Sequence, residues 1–514
     1  MNFAVAKTSL SSFAKMLAGA VRVTTIETMR TSVIMLKEIA KFPLRIKGIT
    51  ATEVVEVKSP YNGEAIAAVE QADETAIKTA IAQSKHTFEN VMRKMPAHKR
   101  SEILARTARI IGERHEDFAR TIALEGGKPI KDARIEVARA ISTFTIAEEA
   151  ALRLDGEQIS MDRQPGNEGR VGIVMREPIG VIAAITPFNF PLNLVAHKLA
   201  PAIASGCTVV LKPASQTPVS SLKLAEVMQE AGLPEGALIV TPCRGSKGGA
   251  LVRDPRLAML TFTGSQEVGW DLRRQIAPGT RIILELGGNA GLVVHGDADL
   301  AAAARAAARG GYVNAGQTCI SVQRIYVQDN KYDEFVTLFV DLVKKLKSGD
   351  PLEETTDVGP MIDAGAVDKT LSWIHEASAG GAKVLAGGNK HAHNILEPTV
   401  LVDTKPELAV VCQEVFGPVV AVMKYADIDE AITLMNDSRY GLQAGVFTSS
   451  LEVAFKAARS IDAGGVMVND GPTFRADHMP YGGRKESGVG LEGVRYAISE
   501  MTQPKFICLN LPPL

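Results

Sequence analysis

The chain has 514 residues, enough for two or three domains with large buried cores. Lys+Arg total 57 and Asp+Glu 58, so the formal net charge of −1 leaves no electrostatic footprint for nucleic acid. With 46% hydrophobic and 22% charged residues the composition is globular rather than disordered, and no apolar run approaches the ~18–20 residues needed to span a bilayer.

The first 45 or so residues carry Lys7, Lys15 and Arg22 before the first acid, Glu27. Residues 1–45 therefore read as an N-terminal extension, either a transit peptide or an over-extended start, since Met29 and Met35 are also plausible initiators. From about Ile49 strands and helices alternate. Val54–Val57 is expected as a strand and Asn62-Gly63 as a turn. Amphipathic helices are expected over Glu74–Lys94 and Ala97–Ala123, the second stopped by Gly126-Gly127, and a third over Asp132–Ala151.

After the polar loop Asp162–Glu168, strands are expected at Val181–Ile185, Thr208–Leu211, Leu238–Val240, Ala258–Phe262 and Arg281–Leu286. Helices Leu192–Ala204, Val219–Ala231 and one N-capped by Ser265 and running through Ile276 alternate with them. Short apolar strands separated by helices imply an α/β fold, a parallel sheet with helices on both faces. A second such series includes helix Leu300–Tyr312, a strand near Ile325–Val327, helix Asp333–Lys347, and strands Val419–Met423 and Gly465–Val468. The tail Lys505–Leu511 alternates apolar and polar residues, as an edge strand at a subunit contact would.

Five cysteines, odd in number and never in a CxxC pair, argue for a reducing compartment and against a disulfide framework or a zinc site. Cytoplasmic residence is expected, or an organelle such as the mitochondrion if the N-terminal extension targets one. Most lone cysteines are small buried hydrophobes. Cys319 stands apart because Gly316-Gln317-Thr318 before it are poor core residues. It follows Glu285-Leu286-Gly287-Gly288 by 34 residues (319 − 285). A thiol can attack a carbonyl carbon and retain the product as a thioester, and a carboxylate can then activate the water that hydrolyses it. Thr186-Pro187-Phe188-Asn189, Lys212-Pro213-Ala214-Ser215 and Thr263-Gly264-Ser265 sit at other strand ends, where doubly wound folds bind ligands.

Ile185-Thr186-Pro187-Phe188-Asn189, Phe262-Thr263-Gly264-Ser265, Glu285-Leu286-Gly287-Gly288, Gly316-Gln317-Thr318-Cys319 and Glu414-Val415-Phe416-Gly417-Pro418 together resemble the signature set of the aldehyde dehydrogenase superfamily, in family order, over roughly residues 45–514. The resemblance implies two doubly wound parallel-sheet domains plus a small β oligomerisation element. Its expected division is 46–152 with 176–287 for the cofactor, 288–500 for catalysis, and 153–175 with 501–514 for oligomerisation. It implies Cys319 as nucleophile, Asn189 with the Cys319 N–H as oxyanion donors, and Glu285 as the base for hydrolysis to a free acid. Lys198 and Glu492 match positions that relay protons.

For the cofactor, NADP or NAD, the resemblance implies Thr186 and Pro187 beside the nicotinamide, Lys212 at the adenosine ribose, Gly264 and Ser265 at the pyrophosphate, and Glu414 with Phe416 at the nicotinamide ribose and ring. Glu414 and Phe416 are two apart and would face one side of an extended segment. Ser215 stands where NAD-selective members often carry Glu, so NADP is expected to be accepted. The run from Phe474 to Gly483, with Gly493-Val494-Arg495-Tyr496, is similar to the lactaldehyde, phosphonoacetaldehyde and non-phosphorylating glyceraldehyde-3-phosphate branch. That branch implies a small polar or anionic aldehyde met by Arg139 and Arg475. Thr318, where several phosphate-reading members have Arg, speaks against a phosphorylated one. A homodimer or homotetramer is expected. A succinate-semialdehyde-type enzyme, which shares Lys212-Pro213-Ala214-Ser215-Gln216-Thr217-Pro218, is the alternative within enzymes, and a catalytically silent binding protein is the alternative outside them.

Overall fold

Strand Val181–Ile185 is apolar at every position because both of its faces are buried: Ile182 and Ala184 enter one core while Val181, Ala183 and Ile185 enter another. The computed structural model describes residues 39–511. The expected N-terminal extension thus lies outside the described residues up to residue 38, as do the last three residues of the chain.

Val181–Ile185 is central in a six-stranded sheet ordered Gly488–Val489, Arg281–Glu285, Leu257–Thr263, Val181–Ile185, Thr208–Lys212, Leu238–Val240. All pairs are parallel except the first, in which Gly488–Val489 from the far end of the chain runs antiparallel. Strand order reverses between Val181–Ile185 and Leu257–Thr263. That switch point opens a crevice between the Thr186-Pro187 and Gly264-Ser265 turns. A seven-stranded sheet follows the same logic: Lys383–Ala386, Thr399–Val402, Val419–Tyr425, Val322–Gln328, Ala290–Val294, Gln443–Phe447 and Gly465–Val468, parallel but for its first strand. Leu292 and Val294 face one core and Val293 the other. Three smaller sheets lie beside these two: Glu157–Ser160, Arg170–Pro178 and Thr502–Asn510, antiparallel; Ala40–Phe42, Ala65–Glu70 and Val54–Lys58; and the pair Tyr440–Gly441 with Arg484–Lys485. It is an α/β fold with two doubly wound parallel sheets and a small β element.

Several expected elements differ, among them the helix read over Glu74–Lys94, which ends at Asn90 and is followed only by the 3-10 turn Met92–Lys94. The helix read over Ala97–Ala123 is two, Ala97–Glu113 and His115–Gly126, broken at Arg114 with φ −108° and ψ 23°. The apolar spacing runs through the break, so periodicity does not reveal it, yet both pieces pack on Ile130–Ala151. The helix read over Asp333–Lys347 spans Tyr332–Val343, its end tightening as Lys345 and Leu346 donate to carbonyls three residues back. Ser265 is the N-cap of Gln266–Gln275 by position only, because its side chain makes no capping bond.

Candidate active site

Glu285 is the last residue of strand Arg281–Glu285, opposite Thr263 on one side and Gly488 on the other. Its side chain is buried, and neither carboxyl oxygen has a hydrogen-bond partner among the described residues. Burial, reinforced by the nearby Glu492 charge, pushes this carboxyl well above the usual range, against the pull of Arg475 and Lys198. The chain then turns through Gly287 and Gly288. A Cβ on Gly287 would overlap the Glu414 carboxylate, and one on Gly288 would overlap the Cys319 carbonyl oxygen.

The thiol is carried by a tight turn in which Asn314, Ala315 and Gly316 are all left-handed, with φ 52°, 54° and 70°. The Gln317 side chain locks it, donating to the Asn314 carbonyl at 3.1 Å and accepting from the Ile362 N–H at 2.9 Å. Cys319 is half-buried, and its N–H makes no backbone hydrogen bond among the described residues. The Asn189 amide donates one hydrogen to the Gln317 carbonyl at 2.9 Å, which holds this carboxamide beside the thiol turn. Burial pushes the Cys319 thiol up to about 11, opposed by its hydrogen bond to Tyr481 and by the Arg475 charge.

Tyr481 is paired antiparallel with Glu492 through both backbone hydrogen bonds, 3.1 and 2.7 Å. Its hydroxyl lies 3.0 Å from Cys319 Sγ. The Arg475 guanidinium sits 3.7 Å above the Tyr481 ring centre and donates to Glu492 Oε2 at 3.0 Å. Lys198 donates to Glu492 Oε1 at 2.8 Å and to Thr261 at 3.0 Å. Lys198 and Glu492 are not surface charges but a pair 1% and 2% exposed. Burial would raise the Glu492 carboxyl, but Lys198 and Arg475 outweigh it and hold it down at about 2.

A cavity of about 160 Å³ opens beside Cys319, with Thr318, Arg139, Arg309, Arg475 and Tyr481 in its lining. Arg139 donates to Asp477 at 2.8 Å, and His197 Nε2 and Asn193 Nδ2 meet the same oxygen at 3.0 and 3.3 Å. Arg139 is thereby held in place, while its Nε has no partner among the described residues. Asp477, His197, Thr261 and Tyr481 are site residues to which the sequence assigned no role. Asp477 and Tyr481 lay within the Phe474–Gly483 run, but their partners, at 197 and 319, are far away in the chain.

The turns at the switch point offer groups suited to a dinucleotide. The first-turn N–H groups of Gln266–Gln275 carry no side-chain cap, so this helix end offers donors and a positive dipole to a pyrophosphate. A Cβ on Gly264 would run into the Phe262 ring. The Thr186 N–H donates to the Lys212 carbonyl at 3.2 Å, which ties Pro187 to the neighbouring strand end. Among the described residues Lys212 Nζ meets only the Pro213 carbonyl, at 3.3 Å, and the Ser215 hydroxyl donates to the Cys243 carbonyl at 3.2 Å. Glu414 accepts from the Gly288 N–H at 2.9 Å with one oxygen, leaving the other for a diol. Burial pushes its carboxyl up to about 7. The Glu414–Phe416 segment is not extended as expected: Phe416 is left-handed, φ 53°, and its ring meets the Phe188 ring edge-on at 5.8 Å. A Cβ on Gly316 would overlap the Gly417 carbonyl, so only glycine lets the thiol turn pack this closely on the segment after Phe416.

Residues 48–507 match the aldehyde dehydrogenase family. The 3-sulfolactaldehyde dehydrogenase of Priestia megaterium is 45% identical over 479 residues, covering 93% of this chain and 99% of that protein. Aldehyde dehydrogenase 21 from Physcomitrella patens, in complex with the reaction product succinate, superposes with a TM-score of 0.89 at 41% identity, covering 93% of this chain and 100% of that one. Glyceraldehyde-3-phosphate dehydrogenase GapN from Methanocaldococcus jannaschii, complexed with NADP, does so with a TM-score of 0.85 at 37% identity, covering 89% and 99%. A half-buried thiol beside an unpartnered carboxyl, on this fold and at these identities, makes the chain an enzyme that belongs to the aldehyde dehydrogenase family.

Proposed function

We propose that the protein oxidises a small polar aldehyde, one bearing an anionic group, to its free carboxylic acid with NADP or NAD. The observation that carries the substrate reading is the cavity itself, in which Arg139 and Arg475 line the same small space as the half-buried Cys319 thiol. Guanidinium groups suit a carboxylate or sulfonate, and about 160 Å³ admits only a few heavy atoms.

Cys319 Sγ attacks the aldehyde carbon, and the carbonyl oxygen becomes an oxyanion. The second Asn189 amide hydrogen and the Cys319 N–H stabilise it, the Asn by ~2.7–4 kcal/mol in comparable sites. Thr186, Pro187, Lys212, Ser215, Gly264, Ser265, Glu414 and Phe416 would hold the dinucleotide, whose nicotinamide, when bound, accepts the hydride that the adduct releases. The thioester left on Cys319 is hydrolysed as Glu285 takes a proton from the attacking water. Sγ leaves and the acid is freed. A carboxyl with no competing hydrogen bond is free to accept that proton, and the Lys198–Glu492 pair behind it offers the onward path.

Ser215 adds no negative charge against a 2′-phosphate, and Lys212 lies three residues before it, which supports use of NADP. The sheet formed by Glu157–Ser160, Arg170–Pro178 and Thr502–Asn510 exposes Ile159, Met175, Phe506 and Leu509. This fits a homodimer or homotetramer built on 153–175 and 501–514, with 46–152 and 176–287 serving the cofactor and 288–500 catalysis. Five free cysteines fit a reducing compartment such as the cytoplasm.

The test is a turnover panel with both cofactors on 3-sulfolactaldehyde, lactaldehyde, succinate semialdehyde, phosphonoacetaldehyde and glyceraldehyde-3-phosphate. Faster turnover of a carboxylate- or sulfonate-bearing aldehyde than of neutral lactaldehyde supports the reading. Preference for the neutral aldehyde, or activity retained by Cys319→Ser, overturns it. The likeness to the succinate-bound enzyme favours succinate semialdehyde as the second candidate, and the same panel separates the two.

A further inference from the structure

The Tyr481 hydroxyl is buried in a small apolar cluster with Ile320 and Leu442, and among the described residues its one hydrogen-bond partner is Cys319 Sγ at 3.0 Å. A buried hydroxyl needs a partner, and here the partner is the nucleophile of the proposed function, on which this inference rests. While the sulfur is a thiol, either atom can donate. Once it is a thiolate, only O–H to S⁻ is possible, and the bond becomes charge-assisted and stronger. The hydroxyl therefore stabilises one protonation state of Cys319 over the other.

We propose that Tyr481 is a catalytic residue whose phenol donates to Cys319 Sγ as the thiol ionises, favouring the thiolate over the thiol and fixing its rotamer. Two features around the ring support that role. The antiparallel pairing with Glu492 fixes the Tyr481 backbone, so the hydroxyl is aimed by the fold rather than by a mobile loop. The Arg475 guanidinium on the ring face, itself held by Glu492, draws electron density from the ring and makes the phenol a better donor. The other charges bearing on the sulfur, Glu285 and Glu414, are carboxyl groups and disfavour the anion. Glu492 stands behind Arg475 and is neutralised jointly by Lys198. Tyr481 thus supplies the hydrogen bond and Arg475 the positive charge that favour the thiolate.

The ionisation step moves the thiol proton to solvent. In the test, the thiolate displaces iodide from iodoacetamide, forming an S–C bond as the C–I bond breaks with its electron pair. The full-length enzyme and Tyr481→Phe are inactivated with iodoacetamide across the pH range, with the labelled cysteine identified by mass spectrometry and the thermal midpoint recorded for both. Losing a hydrogen bond to a charged sulfur should slow Cys319 labelling at pH 7 about tenfold and move the midpoint of the rate profile up by about one pH unit. In turnover, kcat falls and KM for the aldehyde changes little. Superimposable profiles for a folded Tyr481→Phe protein overturn the proposal. So does a slower rate without a pH shift, which would make Tyr481 a packing residue only. If Tyr481→Phe is too unstable to assay, Tyr481 replaced by 3-fluorotyrosine carries the test. Its more acidic phenol should lower the midpoint, and an unmoved midpoint overturns the proposal. Failure of the nucleophile assignment is separately visible, because iodoacetamide labelling of Cys319 would then leave turnover intact.

Discussion

Replacing Glu492 by Gln removes the anion shared by Lys198 and Arg475 and keeps the side-chain shape. Glu492 is 2% exposed and bonded to both cations, at 2.8 and 3.0 Å. Its carboxyl is held at about 2 against an ordinary value of 4.5, and moving a carboxylate that far corresponds to about 3 kcal/mol of native stability. Breaking a buried pair by removing one partner costs ~3–5 kcal/mol, which agrees. With an unfolding entropy of roughly 1 kcal/mol/K for a chain of this length, Tm should fall on the order of 3–5 °C at pH 7. The sign with pH follows from the direction of the change. A depressed carboxyl stabilises the native state above its unfolded value and loses that contribution as pH falls from about 4.5 toward 2, so the gap between wild type and Glu492→Gln should narrow in acid. Differential scanning calorimetry at pH 7 and near pH 4 measures both. The same substitution removes the charge that raises Glu285, so the acid limb of the kcat profile should move to lower pH. A Tm unchanged at pH 7, together with an unmoved acid limb, would refute this account of the buried network.

Glu285→Gln should leave the first turnover of reduced cofactor visible as a burst, then slow steady-state release by ~10²–10⁴-fold. Mass spectrometry should find the acyl group on Cys319, and a linear time course without a burst would contradict the assigned base. Ser215→Glu should shift the ratio of kcat/KM values toward NAD by ~10–100-fold, read from paired kinetics with NADP and NAD. Arg139→Gln, which also breaks the bond to Asp477, should raise KM for an anionic aldehyde ~10–100-fold and affect a neutral one of similar size far less. Equal effects on both substrates would make Arg139 structural. Gly288→Ala forces a methyl group against the Cys319 carbonyl, and a nucleophile displaced by even 1 Å should lose ~10²-fold in kcat with the fold retained by circular dichroism.

How much of this was legible in the chain follows from where each signal is stored. The strands Val181–Ile185 and Leu238–Val240 match the bounds expected from apolar runs because burial on two faces leaves a local mark, and Gly465–Val468 and helix Leu300–Tyr312 match through their flanking turns and apolar periodicity. Glu285, Asn189 and the crevice residues are legible as candidates because each sits in a short motif after a strand, and Cys319 because the glycine turn before it is a poor core segment. The break at Arg114 and the left-handed Phe416 are not. Periodicity continues through the first, and the second is a left-handed non-glycine residue, which no local residue pattern announces.

The sequence by itself determined which groups are present: one thiol in a glycine turn, one carboxyl at a strand end, two arginines and a near-neutral surface. Tertiary structure alone decided how those groups are tuned. Tyr481 reaches Cys319 across 162 residues, Glu492 reaches Lys198 across 294 and Asp477 reaches Arg139 across 338. The physical reason is that ionisation depends on what surrounds a group in space. Burial raises Glu285, and ion pairing across the chain depresses Glu492. The motif around Glu285 names it as a candidate, but its raised carboxyl and the depressed one of Glu492 arise only where the antiparallel return of Gly488–Val489 beside Arg281–Glu285 brings the two segments together.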